Sequence, residues 1–283
     1  MNTVITGATG LTGSIFLQYL AKQSDQKEIN CLVRPTSNRT TINQLNLKLN
    51  YYVGDSSALK TWENLFNQLI PETIIHLAQL RHVPAILTAL AQISKKPHLI
   101  IIGTTGIYSR YNEYSQEYKK AEEQLQKYEG SYCLLRPTMI YGSPRDQNIH
   151  KLIKFSDRYG FFPVFGSGDN LLQPIHTEDL AQALLKVYEN PQFQEAYDLS
   201  GGTVVSFKQL LSLVGEGLGK TVRQLSFPLN FGVWSATVLE TILKSRSPVR
   251  REQILRLQED KAFPYDRAKQ DFGFSPRTLE VGL

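Results

Sequence analysis

The chain has 283 residues, 41% of them hydrophobic and 20% charged, with ordinary use of glycine and proline. That composition excludes a disordered tail and a fibre, and it supplies apolar material for one large domain or a domain with a smaller lobe. The net charge of +5 arises from 31 basic and 26 acidic residues interspersed along the chain, a mild bias toward anionic partners rather than a nucleic-acid footprint.

No apolar run approaches the roughly 18 residues of a membrane helix, so no membrane partner is expected. The longest uncharged run, Leu225 to Leu239, is interrupted by Pro228, Asn230 and Gly232, and reads as packing against the domain or as a partner or dimer surface. Cys31 and Cys133 both lie in apolar stretches that read as buried strands. Neither a disulfide nor a cysteine metal site is expected from them, and a reducing cytoplasm fits. With the first apolar run opening at Asn2, no leader segment is expected.

In chain order, short runs rich in Val, Ile and Leu alternate with longer stretches of helical period. A strand is predicted over Thr3 to Thr6 and a helix over Leu11 to Lys22. Strands follow at Ile29 to Arg34 and Lys48 to Val53, then a helix at Ala58 to Leu69. The pattern continues with strand Thr73 to Leu77, helix Pro84 to Ile93, strand His98 to Gly103, helix Ser115 to Lys127 and strand Tyr132 to Arg136. Helix Glu178 to Tyr188 and strand Ala196 to Leu199 complete it. Right-handed crossovers between such strands give an α/β fold, a Rossmann-type doubly wound parallel sheet of about seven strands. After Tyr141 the pattern changes to YGSPRD, a helix near Asn148 to Tyr159 and an aromatic loop, and beyond Leu199 the chain reads as mostly helical. The expected division is a nucleotide-binding domain at 1–142, rejoined by 171–200, and a smaller lobe made of 143–170 and 201–283.

The strongest local signal is VITGATGLTGSIF, with Gly7, Gly10 and Gly13 between a strand and an amphipathic helix. Gly7 permits the tight turn, Gly10 the approach of a pyrophosphate, and Gly13 the packing of helix on sheet, while the helix N-terminus offers free N–H groups and positive dipole. Thr9, Leu11 and Thr12 complete this cradle. At the end of the second strand an acidic residue would accept from the ribose hydroxyls of NAD. Arg34 stands there instead, suited to a 2′-phosphate, so NADP is preferred to NAD, with Ser37, Asn38 and Arg39 as helpers; the alternative is an exposed arginine at a strand end. Asp55, followed by Ser56, serves either the adenine or the cap of the next helix. Leu77, Ala78 and Gln79 end the fourth strand, where backbone would run beside the cofactor.

Together these motifs resemble the extended and atypical short-chain dehydrogenase/reductase superfamily, in its NAD-dependent epimerase/dehydratase-like branch. TGATGLTG is similar to that branch's cofactor loop, and GDSS and HLAQ to its adenine and fourth-strand segments. LLRPTMIYG, FPVFGSGDNLLQPIHTEDLAQAL and FGFSPRTLEVGL resemble later family segments. The resemblance implies hydride chemistry at a carbonyl or carbinol carbon of a small polar substrate, a nucleotide sugar being one candidate. It assigns the polarising hydroxyl to Thr104 and the ribose-binding lysine to Lys119.

The family tyrosine stands four residues before that lysine, one helical turn along the same face. Here that position is Ser115, and Tyr114 is displaced by one residue, or about 100° of helix face. Tyr114 is therefore the candidate acid/base only if the helix starts irregularly. The literal YxxxK at Tyr265 to Lys269 lies in the C-terminal tail and is taken as chance. His176 is expected to support a strand-to-helix turn, and no histidine spacing suggests a metal. Lys244, Arg246, Arg250, Arg251 and Arg256 form a basic cluster that either meets a substrate diphosphate, with Arg251 as its representative, or is a solvated helix face. Two functions remain open: an NADP-binding oxidoreductase or epimerase/dehydratase-type enzyme, and a non-catalytic NADP-binding regulator or scaffold. Monomer and homodimer are both compatible.

Overall fold

The computed structural model describes residues 2–23, 28–146, 148–193, 195–244 and 249–283. Its centre is a seven-stranded sheet in which every pairing is parallel. The strands are β1 (Thr3–Thr6), β2 (Glu28–Val33), β3 (Lys48–Val53), β4 (Thr73–His76), β5 (His98–Ile102), β6 (Tyr132–Pro137) and the edge strand Ala196–Leu199. In space the edge strand is followed by β6, β5, β4, β1, β2 and β3, so the order reverses between β1 and β4. That crevice, beyond the strands' carboxyl ends, is where open sheets of this kind bind ligands. The predicted strands and helices all occur, with boundaries shifted by at most a few residues. The four-residue helix α2 (Thr40–Asn43), between β2 and β3, had no counterpart in the sequence pattern.

Period-2 alternation sends neighbouring residues of each strand into opposite layers. Val4, Leu99 and Ile101 pack with Trp62, Leu65, Ile86, Leu90 and Leu125, the inner faces of α3 (Leu59–Gln68), α4 (Val83–Leu90) and α5 (Ser115–Leu125). Ile5, Ile100 and Ile102 pack on the other face with Phe16, Leu17 and Leu20 of α1 (Leu11–Gln23) and with Leu180 and Leu184 of helix Thr177–Glu189. Cys31 and Cys133 are buried free thiols of this second layer, pushed up to about 12 by burial.

A third cluster belongs to the lobe and joins Ile149, Val164, Phe207, Leu210 and Val214. The lobe is less helical than its sequence suggests. Strand Arg223–Phe227 pairs in parallel with Phe161–Phe165 over five residues each, and short strands at Leu171–Leu172 and Val205–Ser206 pair antiparallel. The uncharged run therefore divides: its first residues join this ladder, and the rest forms most of helix Leu229–Leu243. That helix buries Gly232 and Ala236 but leaves Trp234 64% and Ile242 69% exposed, so it does not pack wholly against the domain as its composition suggested. Among the described residues no helix is long and apolar enough to cross a membrane.

Candidate functional site

The glycine loop connects β1 to α1 at the sheet's crevice. Gly7 takes φ +72°, and a Cβ there would stand 2.9 Å from the Leu77 carbonyl, so the turn requires glycine both for its dihedral and for its contact with the end of β4. A Cβ on Gly13 would lie 2.3 Å from the Gly7 carbonyl oxygen, which fixes helix against turn. Gly10 is different. It is exposed, its N–H donates to the Gly7 carbonyl (2.9 Å), and a Cβ there meets only that oxygen, at 3.1 Å. The surface above Gly10 is open to a ligand, and the first-turn amides of α1 point there without intrahelical acceptors. Thr9, Leu11 and Thr12 are half-buried around the opening. Arg145, from the YGSPRD segment, adds a cation nearby by donating from Nη2 to Ser14 Oγ (2.9 Å). No local pattern points to this contact, because 131 residues separate the two.

Around the adenine end, Arg34 is exposed just past β2. Its proposed helpers are engaged locally. Ser37 Oγ accepts from the Arg34 N–H (3.1 Å), Asn38 Oδ1 accepts from Thr40 N (2.9 Å), and the Arg39 guanidinium lies 4.5 Å from the Tyr51 ring centre. Asp55 Oδ1 accepts from Ser57 N (2.9 Å) and Ser57 Oγ (2.8 Å), closing a local turn; α3 begins after Ala58 with no side-chain cap, so Asp55 does not cap it. Those bonds hold its carboxyl below the usual range, with the charges of His82 and Arg34 adding. Ser56 Oγ meets His82 Nδ1 at 3.0 Å. At the end of β4, Leu77 N donates to Thr6 O (3.2 Å), Ala78 is half-buried and Gln79 is exposed. Gln79 O lies 3.1 Å from Nε2 of His76, whose other nitrogen is 2.8 Å from Thr6 Oγ1. Burial pushes His76 down to about 4, so the ring is neutral and structural.

Farther along the crevice a cleft of about 830 Å³ opens beyond β5 and β6, under the lobe. Its sheet wall includes Thr104, Tyr108 and Thr138; its lobe wall includes Arg256, Glu259 and Lys261. Thr104 Oγ1 accepts from Gly106 N (3.0 Å), capping the turn Thr105–Tyr108. Tyr108 donates to Asp198 (3.0 Å to Oδ2), and Arg136 links Asp198 (3.5 Å) to Glu122, whose carboxylate pairs with both Nε and Nη2. Burial, with Asp198 adding, pushes the Tyr108 phenol up to about 12. Glu259 ties the lobe to the sheet wall by accepting from Ser109 Oγ (2.6 Å) and Arg110 N (2.7 Å).

The sequence-predicted catalytic residues separate here. Thr104 lines the cleft; Tyr114 and Lys119 are absent from its lining. Tyr114 stands immediately before α5 in helical conformation, with no irregular start to turn its ring. The ring lies under the Arg81 guanidinium (4.6 Å) and near Tyr118 (6.4 Å). Lys119 is exposed on α5, one turn after buried Ser115. Arg251 is also exposed and outside the cleft lining, its backbone N–H donating to Glu240 (3.1 Å); Arg256 is the member of the basic cluster that reaches the cleft. Arg250 pairs with Glu113 (3.2 Å), and Arg246 lies outside the described residues. Tyr265 packs edge-on against Phe274, consistent with a chance YxxxK. His176 Nδ1 accepts from Glu178 N (3.3 Å), capping helix Thr177–Glu189 as expected. Among the described residues no cluster of His, Cys, Asp or Glu is suited to a metal.

Residues 3–96 match the NAD dependent epimerase/dehydratase family. Similar sequences include mouse short-chain dehydrogenase/reductase family 42E member 1, 23% identical over 163 residues, 53% of this chain and 41% of that protein. Another is the mitochondrial NADH dehydrogenase [ubiquinone] 1 alpha subcomplex subunit 9 of Dictyostelium discoideum, 28% identical over 98 residues, 34% of this chain and 27% of that one. The alignments thus span less than half the length of these relatives. In fold, the chain is similar to UDP-glucose 4-epimerase of Thermotoga maritima, solved with UDP-glucose (TM-score 0.73, 18% identity, 100% of this chain and 96% of that one). It is equally similar to UDP-glucuronic acid 4-epimerase of Bacillus cereus, solved with UDP-glucuronic acid and NAD (TM-score 0.75, 16% identity, 100% and 96% covered).

Proposed function

We propose that the protein binds NADP(H) across the crevice and acts as an oxidoreductase or epimerase/dehydratase-type enzyme on a carbonyl or carbinol carbon of a small polar, anionic substrate. The observation that carries the reading is the cradle itself: Gly7 and Gly13 are held to glycine by backbone contacts under 3.0 Å, whereas a Cβ on exposed Gly10 would meet only the Gly7 carbonyl oxygen, at 3.1 Å, among the described residues. Gly10 and the α1 amides hold the pyrophosphate, Arg34 meets the 2′-phosphate, and Leu77, Ala78 and Gln79 lie alongside. When bound, the cofactor supplies or accepts hydride. The cleft, with Thr104 on one wall and Arg256 on the other, takes the substrate; a nucleotide sugar fits its charge, in line with what the two epimerases hold. The buried free thiols suit a reducing, cytoplasmic setting.

A second reading is favoured by the position of Tyr114. With that ring held by Arg81 and Lys119 turned to solvent, the chain is a cofactor-binding regulator or scaffold without turnover, and one relative is indeed a subunit of a larger complex. A fluorescence titration tests the cofactor assignment: NADPH binds more tightly than NADH, and Arg34→Ser removes about 10- to 100-fold of that difference, the worth of a charge-assisted phosphate contact. Equal affinities in the parent protein refute the NADP assignment. Tight binding with no cofactor oxidation across a broad carbonyl panel selects the second reading.

A further inference from the structure

The lobe wall of the cleft carries two cations, Arg256 and Lys261. Lys261 is half-buried, its Nζ donates to the Arg256 carbonyl oxygen (2.7 Å), and among the described residues it forms no ion pair with a carboxylate. Its backbone is fixed by a bridge to Leu172 and by donation to Leu171 O (2.6 Å), so the ammonium cannot leave the cleft by a simple loop movement. Arg256 Nη1 reaches Glu252 (3.3 Å), but its Nε is buried with no hydrogen-bond partner. That Nε is closed to the cleft as well as to solvent, so a ligand meets this side chain, 31% exposed, through its Nη groups.

The carboxylates of this wall are committed elsewhere. Glu259 holds Ser109 and Arg110, and Asp260 Oδ1 accepts from Leu171 N (2.7 Å). On the sheet wall the Tyr108 hydroxyl donates a hydrogen bond to Asp198. Lys261 thus retains donors to spare in the cleft that Thr104 also lines. Burial, followed by the charge of Arg256, lowers its ammonium to about 8 against the counter-effect of Glu259, so near neutral pH a fraction stands as free amine.

We propose that Arg256 and Lys261 form a binding site for an anionic carbonyl compound, with the anion on the guanidinium and the carbonyl oxygen accepting a hydrogen bond from Lys261 Nζ. The inference deepens the substrate-site reading of the cleft and does not depend on which dinucleotide binds.

Pyridoxal 5′-phosphate, a phosphorylated aldehyde, is a direct probe. The free amine adds to the aldehyde, water leaves, and borohydride reduces the resulting imine to a stable secondary amine that peptide mass mapping locates. With the full chain and limiting reagent near neutral pH, the adduct falls on Lys261, and pyridoxal lacking the phosphate labels it about tenfold less, the worth of one lost ion pair. Arg256→Gln removes that preference, and Lys261→Met removes the adduct. Labelling spread over exposed lysines such as Lys119 and Lys120 with Lys261 unmodified overturns the proposal. So does equal labelling by the two aldehydes in the parent protein, a comparison that needs no variant to fold. Because the mapping is done without nicotinamide, its failure is distinguishable from failure of the NADPH titration.

Discussion

Gly10→Ala and Gly13→Ala separate the two reasons for glycine in the cradle. At Gly13 the added methyl lies 2.3 Å from the Gly7 carbonyl oxygen and 2.9 Å from Ala8 Cα. The first contact is about 1 Å inside van der Waals distance, and both neighbours are backbone. Such overpacking costs about 1–3 kcal/mol, which the better helix propensity of alanine offsets by ~1 kcal/mol at most. With about 2–4 °C of melting temperature per kcal/mol, the variant should melt several degrees lower. At Gly10 the methyl meets one oxygen at 3.1 Å and the backbone angle is not in the left-handed region, so stability should change by less than about 0.5 kcal/mol. The same methyl projects into the space assigned to the pyrophosphate, and NADPH affinity should fall by about 10- to 100-fold, or 1.4–2.8 kcal/mol. Scanning calorimetry without cofactor and nicotinamide fluorescence titration read the two effects separately. A Gly10→Ala protein that binds NADPH as tightly as the parent would refute the reasoning, as would a Gly13→Ala protein of unchanged melting temperature.

Glu259→Ala removes the acceptor for Ser109 Oγ and Arg110 N, and should cost about 1–2 kcal/mol while speeding proteolysis between 104 and 114; Glu259→Gln, which keeps an acceptor, should lose less. Glu122→Ala leaves the Arg136 guanidinium, only 14% exposed, with the longer Asp198 contact (3.5 Å), and should cost about 1–3 kcal/mol in urea unfolding, with much of the loss recovered when Arg136→Met is combined with it. Lys261 binds its proton less tightly folded, at about 8, than unfolded. Between pH 8 and the ordinary lysine range the unfolded chain therefore holds more protons, and this group makes stability rise with pH there, by about 3 kcal/mol at most. Lys261→Met should be more stable than the parent at pH 7 and lose that margin as pH rises toward 10; a margin independent of pH contradicts a desolvated ammonium.

Local pattern carried most of the nucleotide fold. Strands such as Thr3–Thr6 and Lys48–Val53 follow from apolar period and from the punctuation around them, and the cradle follows from three glycines at a strand-to-helix junction. These are short-range properties, written within a dozen residues. The cleft was legible only in part. Thr104 was reached through the family resemblance of its segment, whereas Lys261 and Glu259 carry no local signature and acquire meaning only when the lobe folds back 150 residues to meet Ser109. Arg251 and Arg256 are alike in sequence, yet the helix Arg251–Leu255 and the turn after it leave Arg251 in solvent and bring Arg256 to the cleft. Tyr114 shows the same limit: the one-residue slip was plain in the sequence, but the ring's place under Arg81 depended on which face of α5 the sheet and α4 left available. Sequence alone determined the alternating fold and the dinucleotide cradle, because both rest on backbone periodicity. Tertiary structure decided which charges face the cleft, because side-chain direction and desolvation are set by segments distant in the chain.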